Sequence, residues 1–350
     1  MKKIQRMVCL GLAAAPLTLS AVAAAESMTE IVEAGDTVDW VIAIHGGAGS
    51  ARRADLEPEV EAQIRADLRA ALEAGAALLE QGAPGTDAIV AALTLLEDSP
   101  LFNAGRGAAL DEHGQARHDA SIMRGNDLAA GAIAGSSRIR NPIAAARAVM
   151  EHTQNVMLHG DGADWFAANN GLTMAEPTYF ITEGRYQSLL DERARKMGPT
   201  AYVPSGDALY GTVGAVVLDR AGNLSAGTTT GGRTNKRFGR IGDTPIIGAG
   251  TYAANASCAV SATGHGEYFM RWTVARDICA RVELADESLE QAANTLLVDR
   301  LLPAGGTGGV VTMEPSGKAV FVATTANMRR GVMSSNTPPR VAVYSDEVVQ

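Results

Sequence analysis

The sequence predicts an α+β fold in which two β-sheets pack face to face between outer helices, as a four-layer αββα sandwich. Two observations support this prediction. Short apolar runs bounded by glycines and polar turns, which are typical of strands, occur in both halves of the 350-residue chain. Stretches with apolar residues at helical spacing lie between those runs. Sheets in the centre with helices outside would bury the apolar face of each element.

The N-terminal residues 1–25 have the plan of a secretory signal peptide. Lys2, Lys3 and Arg6 precede an apolar run, and small residues ending at Ala25 follow it, as a signal cleavage site requires. A membrane anchor is the less favoured alternative, because polar residues interrupt the apolar run. The segment therefore predicts an exported, periplasmic protein and is left out of the fold.

The first elements after this segment are a strand and two helices. "WVIAIHGGAG", residues 40–49, predicts a strand that ends in a glycine loop with exposed backbone. Apolar residues recur every four positions after Pro58, among them Ile64 and Leu68, which predicts a helix. "QGAPGT" ends this helix, and the pattern predicts a second one from Asp87.

The middle of the chain predicts a strand pair, a helix and a connection. "HDASIMRGNDLAAGAIAG", residues 118–135, alternates like two strands with a turn at Gly125 and Asn126. "NPIAAARAVMEHT" predicts a third helix. The polar residues from 183 to 211 show no sustained strand pattern, and we expect a mobile connection that ends at Gly211.

The last part of the chain is rich in predicted strands. "TVGAVVLD" and "NLSAGTTT" are joined by "RAGN", which indicates a hairpin. "CAVSATG" predicts another strand, and "EYFMRWTVARDICARVEL" predicts one continuous helix. "GGVVTMEPSGKAVFVATT" predicts a final hairpin.

Charge, motifs and cysteines exclude several classes of function. Asp and Glu number 39 against 30 Lys and Arg, and an acidic surface argues against nucleic acid or an anionic membrane as a partner. The sequence contains no P-loop, CxxC or HExxH motif, and its histidines lack metal-ligand spacing. After the signal segment only Cys258 and Cys279 remain. Because both lie in apolar runs, we expect small core residues and no disulfide framework.

The junction between Gly211 and Thr212 has the most specific chemistry in the sequence. A threonine hydroxyl inside a chain is a poor nucleophile, because its pKa is far above neutrality and it needs an adjacent base. A cut before Thr212 would supply that base, since the freed α-amine titrates near ~8 and can accept the hydroxyl proton. Gly211 favours such a cut because glycine tolerates strained backbone geometry. The alternative is an ordinary β-branched residue that begins a strand.

Several sequence blocks, in order over residues 40–335, resemble one known family. They are "IHGGAG", "LEDSPLFNAGRGAAL", "HDASIM", "GTVGAVVLDRAGNLSAGTTTGGRTNKRFGRIGDTP", "GAGTYA" and "AVSATGHGEYFMR". These blocks are similar to the plant-type asparaginase and isoaspartyl-peptidase family of N-terminal nucleophile hydrolases. The resemblance implies the αββα sandwich of those hydrolases and self-cleavage between Gly211 and Thr212.

The resemblance implies one domain that matures into two chains, an α subunit of residues 26–211 and a β subunit of residues 212–350. Thr212 would be the catalytic nucleophile, and Thr230 would be the helper threonine whose hydroxyl lies beside it and tunes its amine. The neighbouring Thr228 and Thr229 are expected to be exposed strand residues. The family also implies a dimer of αβ units.

Further site residues follow from the same blocks. Arg240 and Asp243 match positions that grip the substrate α-carboxylate and α-amine, as a zwitterionic amino acid requires. A surface salt bridge between these two residues is the alternative. Thr263 and Gly264 match a catalytic oxyanion hole that also contacts substrate. Gly266 matches a backbone contact to substrate.

Asn103, in "FNAGRG", matches an asparagine of the catalytic centre. Its loop resembles a loop that binds a structural sodium ion through backbone carbonyls, which are suitable hard ligands. The six residues that match are Leu96, Glu97, Ser99, Phe102, Ala104 and Arg106. No cofactor is implied for catalysis.

The implied activity is hydrolysis of isoaspartyl (β-aspartyl) dipeptides and L-asparagine, with release of L-aspartate. One alternative is a glycosylasparaginase that acts on N-acetylglucosaminyl-asparagine, although "GGRTNK" resembles the asparaginase branch better. The other is an exported binding protein of the same fold that is never processed. The intact Gly211–Thr212 junction and the pair of Arg240 and Asp243 argue against that second alternative.

Overall fold

The computed structural model describes residues 27–33, 35, 38–196 and 211–349. The predicted signal peptide lies outside the described residues, and so do residues 197–210, directly before the predicted cleavage site. Among the helices of the described ranges, none combines the length and apolarity that a membrane crossing needs.

The described strands are β1 (Met28–Val32), β2 (Val41–Gly49), β3 (His118–Arg124), β4 (Ala130–Ser136), β5 (Met157–His159), β6 (Val213–Leu218), β7 (Leu224–Thr230), β8 (Thr251–Ala253), β9 (Ala259–Gly264), β10 (Gly308–Met313), β11 (Ala319–Ala323), β12 (Asn327–Ser334) and β13 (Thr337–Tyr344). The described α-helices are α1 (Pro58–Glu80), α2 (Gly85–Asp98), α3 (Pro142–His152), α4 (Gly160–Asn169), α5 (Glu183–Lys196), α6 (Gly266–Trp272), α7 (Val274–Ala285) and α8 (Leu289–Asn294). A π-helical segment, Thr295–Leu301, continues α8.

The strands form two sheets. The larger has eight strands in the order β13-β12-β2-β6-β7-β3-β4-β5, and the smaller has five in the order β1-β11-β10-β9-β8. Neighbours are antiparallel except for the parallel pair of β4 and β5. The predicted hairpin of β6 and β7 lies in the middle of the larger sheet, so the strand that follows Thr212 is flanked on both sides.

Three apolar cores separate four layers. Helices α1, α2 and α3 pack on the outer face of the larger sheet, and α7 and α8 pack on the outer face of the smaller one. A third core lies between the sheets. Alternation along β2 places Ile42 and Ile44 against the helices and Val41 and Ala43 against the other sheet, as a strand period of two dictates. The predicted αββα sandwich is confirmed.

The expected connection before Gly211 is wrong over its first part, because Glu183–Lys196 is helix α5. The helix is polar but buries one narrow face. Leu189 is fully buried in a small apolar cluster with Phe180, and the buried Arg185 donates from Nε to the carbonyl of Gly107. Its apolar period is as marked as that of α1, but the segment is strongly polar overall, and the interpretation as a connection followed that composition.

Two further expectations need correction. The predicted single helix after β9 is two helices, because Thr273 adopts a left-handed conformation with a φ of 45° and ends α6. Thr228 and Thr229 are fully buried and not exposed, because β7 is a central strand with both faces covered.

The expectation for the cysteines is half right. Cys258 and Cys279 are both fully buried in the core between α7 and the smaller sheet, as expected. They nevertheless form a disulfide, with their Cα atoms 5.3 Å apart, which ties the start of β9 to α7. Their separation of 21 residues does not reveal this pairing, because only the packing of α7 on the sheet brings them together.

Candidate active site

Thr212 lies directly before β6, at one end of the centre of the larger sheet. The β6–β7 hairpin pairs Val213 with Thr229, and so places Thr212 beside Thr230. The Thr212 hydroxyl donates to the Thr230 hydroxyl oxygen at 3.0 Å. Thr230 Oγ1 also accepts from the backbone N–H of Gly232 at 3.0 Å, so its orientation is fixed. The hydroxyls of Thr212 and Thr230 are therefore hydrogen-bonded to each other, as the sequence predicted.

Gly211 is held by two backbone contacts. Its carbonyl oxygen accepts from the backbone N–H of Asn103 at 3.4 Å. On the other side it packs on Gly47, which has a φ of +103°, and a Cβ on Gly47 would collide with the backbone of Gly211. Both the positive φ and the close approach require glycine at 47. The glycine loop after β2 therefore cradles the Gly211–Thr212 junction.

Asn103 clamps the loop that follows β7. Its Nδ2 donates to the Gly232 carbonyl at 2.7 Å, and its Oδ1 accepts from the Ala109 N–H at 2.8 Å. Its own carbonyl accepts from the Gly231 N–H at 2.9 Å. The side-chain amide is thus engaged with backbone, and the backbone N–H is the group that faces the junction.

Thr263 and Gly264 lie at the end of β9 in the smaller sheet, close to the glycine loop. Thr263 is buried, and its hydroxyl accepts from the Ala48 N–H at 3.3 Å. Gly264 has a φ of +148°, and a Cβ there would lie 2.5 Å from the Thr307 carbonyl oxygen. Thr263 therefore reaches the Gly47 loop from the opposite sheet, and Gly264 packs against the backbone of Thr307 and Gly308.

Arg240 and Asp243 converge on Gly266. A Cβ on Gly266 would lie 2.6 Å from Asp243 Oδ1 and 2.9 Å from an Arg240 guanidinium nitrogen. A residue with a Cβ at this position would collide with both the Arg240 guanidinium and the Asp243 carboxyl group. The three predicted substrate-binding residues are therefore brought together.

The ion-pair partner of Arg240 is Glu267, which the sequence analysis did not identify. Arg240 donates from Nε and from one terminal nitrogen to the two Glu267 oxygens, each at 3.0 Å. Partial burial opposes ionisation of Glu267, but the hydrogen bonds and charge of Arg240 prevail and hold its pKa down to about 2. Glu267 begins helix α6 directly after Gly266, and no spacing rule in the sequence marked it.

Asp243 is nearly fully buried, and its Oδ2 has no hydrogen-bond partner among the described residues. Burial raises the pKa of its carboxyl to about 7, although the charge of Arg240 opposes the shift. A buried acceptor without a partner is costly unless a ligand satisfies it. An α-ammonium group of a substrate would supply both the missing hydrogen bond and a compensating charge.

The loop from Leu96 to Arg106 has features that fit a cation. Cβ atoms on Gly105 and Gly107 would collide with the carbonyl oxygens of Glu97 and Phe102 respectively, so these oxygens point into the loop. Carbonyl oxygens gathered around glycines suit a hard cation such as sodium. The Ala104 carbonyl also accepts from the Gly107 N–H at 3.1 Å, which leaves it one lone pair. Within the described residues there is no cluster of acidic, His or Cys side chains for a transition metal.

His45 is a second residue that the sequence analysis left without a role. It is fully buried on the inter-sheet face of β2, and its Nε2 lies 2.9 Å from Ser261 Oγ. Burial lowers its pKa to about 3, with the backbone of Thr212 opposing the shift, so the imidazole is neutral at ordinary pH. In the sequence His45 is marked only by its place in the motif "IHGGAG", whose glycines predict a loop and whose histidine has no spacing signal.

The chain is similar to known proteins of one family. The family model described as asparaginase matches residues 38–343. An isoaspartyl peptidase of Escherichia coli (strain K12) is 43% identical over 312 residues, which are 88% of this chain and 97% of that protein. An isoaspartyl peptidase/L-asparaginase of Bos taurus is 40% identical and covers 82% of this chain and 91% of its own. The isoaspartyl peptidase/L-asparaginase of Xenopus laevis is 40% identical over 79% of this chain and 86% of its own length.

Proposed function

The chain belongs to the asparaginase family, and on that premise we propose that it is a self-processing threonine hydrolase. It cleaves isoaspartyl dipeptides and L-asparagine and releases L-aspartate. The observation that carries the proposal is the Thr212 hydroxyl, 3.0 Å from Thr230, directly after a glycine. The cation and anion at Arg240 and Asp243 support an amino-acid substrate.

Maturation cuts the domain into an α subunit, 26–211, and a β subunit, 212–350. The Thr212 hydroxyl oxygen adds to the Gly211 carbonyl carbon, the peptide C–N bond breaks, and the nitrogen takes up a proton. The ester that remains is hydrolysed by water, which leaves a Gly211 carboxylate and a free α-amine on Thr212. The Asn103 N–H, 3.4 Å from the Gly211 oxygen, is placed to stabilise the charge on that oxygen.

Hydrolysis repeats the same chemistry on the substrate. The α-amine of Thr212 accepts the proton of its own hydroxyl, and the oxygen attacks the β-carbonyl carbon of the aspartyl group. Thr263 and Gly264 stabilise the oxyanion, and Thr230 orients the hydroxyl. The leaving ammonia or amino acid takes the proton. Water then opens the β-aspartyl ester and releases aspartate.

Recognition depends on the α-groups that isoaspartyl dipeptides and asparagine share. The ammonium pairs with Asp243, whose Oδ2 is otherwise unpartnered among the described residues. The α-carboxylate pairs with Arg240, whose guanidinium also donates to Glu267, so substrate and Glu267 compete for the guanidinium. Gly266 leaves the space for both groups.

We further propose an exported, periplasmic enzyme that assembles as a dimer of αβ units and holds a structural sodium ion in the Leu96–Arg106 loop. The composition of residues 1–25 supports export. The Cys258–Cys279 disulfide supports it too, because disulfides persist in oxidising compartments. Sedimentation of the matured protein tests the dimer, and mass spectrometry of the periplasmic fraction tests the loss of the signal peptide.

The test of the proposed function is expression of the full chain, followed by intact mass analysis and kinetics. We expect two fragments with threonine at the new N-terminus. We also expect turnover of a β-aspartyl dipeptide and L-asparagine, but not of N-acetylglucosaminyl-asparagine. Thr212→Ala should remain one chain without activity, whereas Thr212→Ser should retain cleavage because it keeps the hydroxyl. Normal maturation of Thr212→Ala would overturn the mechanism.

A further inference from the structure

A row of five buried polar side chains crosses the otherwise apolar core between the two sheets. The row, here called the polar chain, consists of His45, Ser261, Thr228, Thr251 and Ser121, all fully buried. Successive contacts are 2.9 Å from His45 Nε2 to Ser261 Oγ, 2.7 Å to Thr228 Oγ1, 2.6 Å to Thr251 Oγ1 and 2.8 Å to Ser121 Oγ. Strands β2, β7 and β3 of one sheet alternate here with β9 and β8 of the other.

The two ends of the polar chain meet the two halves of the proposed site. His45 in β2 pairs across the sheet with Gly214 in β6, two residues after Thr212. At the other end, Ser121 Oγ donates to the Thr244 carbonyl at 2.6 Å. Thr244 directly follows Asp243. The polar chain therefore extends from the strand that directly follows the nucleophile to the backbone behind Asp243, the carboxyl group proposed to receive the substrate amine.

Proton counting gives the polar chain a direction. Each hydroxyl has one proton, and the last proton, that of Ser121, is donated to a carbonyl. With the Ser121 proton on the Thr244 carbonyl, each contact from His45 to Thr244 has one donor only when His45 donates from Nε2 to Ser261 and each hydroxyl donates to the next. In this arrangement Thr228 does not donate to the Gly250 carbonyl, which lies 3.3 Å from its Oγ1. This tautomer leaves His45 Nδ1 unprotonated, in agreement with the absence of any partner for Nδ1 among the described residues. A buried row of side chains hydrogen-bonded to one another in this way is rigid.

Gly214 keeps the space for this network open. A Cβ on Gly214 would collide with Ser261 Oγ and would lie 2.5 Å from His45 Nε2. Its φ is not positive, so backbone conformation does not demand glycine at this position. The requirement is room for the hydrogen bond between His45 and Ser261. The hydrogen bond between His45 and Ser261 therefore requires glycine at position 214, the third residue of the proposed β subunit.

We propose that His45 is a positioning residue for Thr212, and that the polar chain sets the separation between the nucleophile and the Asp243 segment. The proposal rests on the proposed function, since it concerns the distance between the attacking hydroxyl and the bound α-amine of the substrate. The reacting atoms need a near-attack geometry, and a misplacement of about 1 Å can cost about a hundredfold in rate. Apolar residues would fill the same core without giving this control.

Isosteric removal of single links tests the proposal. Ser261→Ala and Thr228→Val should lower kcat for a β-aspartyl dipeptide by about tenfold to a hundredfold, with KM changed much less. Ser121→Ala, which releases the Thr244 carbonyl behind Asp243, should mainly raise KM. In His45→Gln the side-chain amide can still donate to Ser261 as Nε2 does. The kcat of this variant should therefore be higher than that of His45→Leu. The rate of self-cleavage, which needs no substrate, is followed in parallel.

Thr312→Val is the matched control. Thr312 in β10 is fully buried and donates to the Val320 carbonyl at 3.0 Å, outside the polar chain. It should lose as much thermal stability as Thr228→Val but keep the wild-type kcat. Equal kinetics of Thr228→Val and Thr312→Val would overturn the proposal.

The outcomes separate this inference from the proposed function. A wild-type chain that cleaves itself but leaves both substrates intact would refute the substrate assignment, and slower self-cleavage of Ser261→Ala would still support the positioning role. Full activity of all link variants would refute the positioning role alone. A wild-type chain that neither cleaves itself nor hydrolyses either substrate would overturn both.

Discussion

Three consecutive threonines in β7 serve three different purposes. Thr228 and Thr230 face the smaller sheet, where one joins the polar chain and the other binds the Thr212 hydroxyl. Thr229 points to the opposite face and donates to the buried Glu97 carboxylate at 2.7 Å. Because side chains alternate along a strand, a register shift of one residue would exchange these partners. The identical residues are therefore not interchangeable.

Asp243 allows a prediction about pH and stability. Burial raises its pKa in the folded protein to about 7, against a lower value in the unfolded chain, while Arg240 opposes and Glu267 and Asp119 add to the shift. A raised pKa contributes stability at low pH that is lost as pH rises through about 7. Asp243→Asn removes the charge. When the pH is raised from about 5 to about 8, we expect the free energy of unfolding of the wild type to fall by about 1 to 4 kcal/mol relative to that of this variant.

Urea unfolding at both pH values measures the difference. Both proteins should carry Thr212→Ala, so that each remains one uncut chain. If the free energy of unfolding of the two proteins changed equally with pH, the raised pKa of the buried Asp243 would be contradicted.

Some site residues could be predicted from sequence and others could not. The pairing of Thr212 with Thr230 follows from a hairpin with a short turn, because antiparallel register fixes which residues lie side by side. Glu267 and His45 depend on how a helix start and a distant strand pack near the site. Neither has a spacing signal, so only the three-dimensional arrangement identifies them.

The glycine loop after β2 supports a prediction at the scale of the element. Gly47→Ala would place a Cβ against the backbone of Gly211 at a φ that strains any side chain. We expect self-cleavage to slow by more than about tenfold, because the scissile carbonyl would be displaced from its donors. Mass analysis over time measures the rate.

The control for Gly47→Ala is Gly82→Ala. Gly82 also has a positive φ, of +79°, but nothing lies within 4 Å of the Cβ position. It carries the same kind of backbone strain without the contact. If both variants mature equally slowly, strain alone explains the effect, and close packing on the junction does not.

The Leu96–Arg106 loop predicts a dependence of stability on sodium. Binding to the folded state alone raises stability with ion concentration, by roughly 3 kcal/mol at a hundredfold excess over Kd. Replacing sodium with choline at constant ionic strength should therefore lower Tm. In Gly105→Ala the new Cβ would meet the Glu97 carbonyl, so Tm should no longer respond to sodium. A sodium response that survives this change would place the ion elsewhere.

Elements with a strong period were predictable, and elements defined by context were not. Helices α1, α2 and α3 and the β3–β4, β6–β7 and β10–β11 hairpins follow from spacing and turn residues. The strongly polar composition of helix α5 favoured a connection although its apolar period is helical. Thr273 ends a helix by adopting a conformation that non-glycine residues seldom take. Burial of Thr228 and Thr229 required knowledge that β7 is central.

At the scale of the molecule, the disulfide supports a prediction about stability. Closing a loop of 21 residues between Cys258 and Cys279 contributes about 3 kcal/mol in the chain-entropy view. Cys279→Ala with Cys258→Ala should lose that amount, and a reducing agent should bring wild type down towards the variant. Urea unfolding with and without the reductant measures both. A wild type that does not respond to reduction under denaturing conditions would contradict the bond.

The strand order of the larger sheet has a consequence for refolding. β2 precedes Gly211 in sequence, yet it lies between β12 and β6, which both follow Thr212. Once the junction is cut, two separate polypeptides share one hydrogen-bonded sheet and cannot part without breaking its centre. Before the cut, folding is unimolecular; afterwards, a denatured sample must bring two different chains together at the right register. The proposed cut would therefore be a one-way step, and the cut enzyme would depend on slow unfolding for its lifetime, because its two chains would not readily refold together.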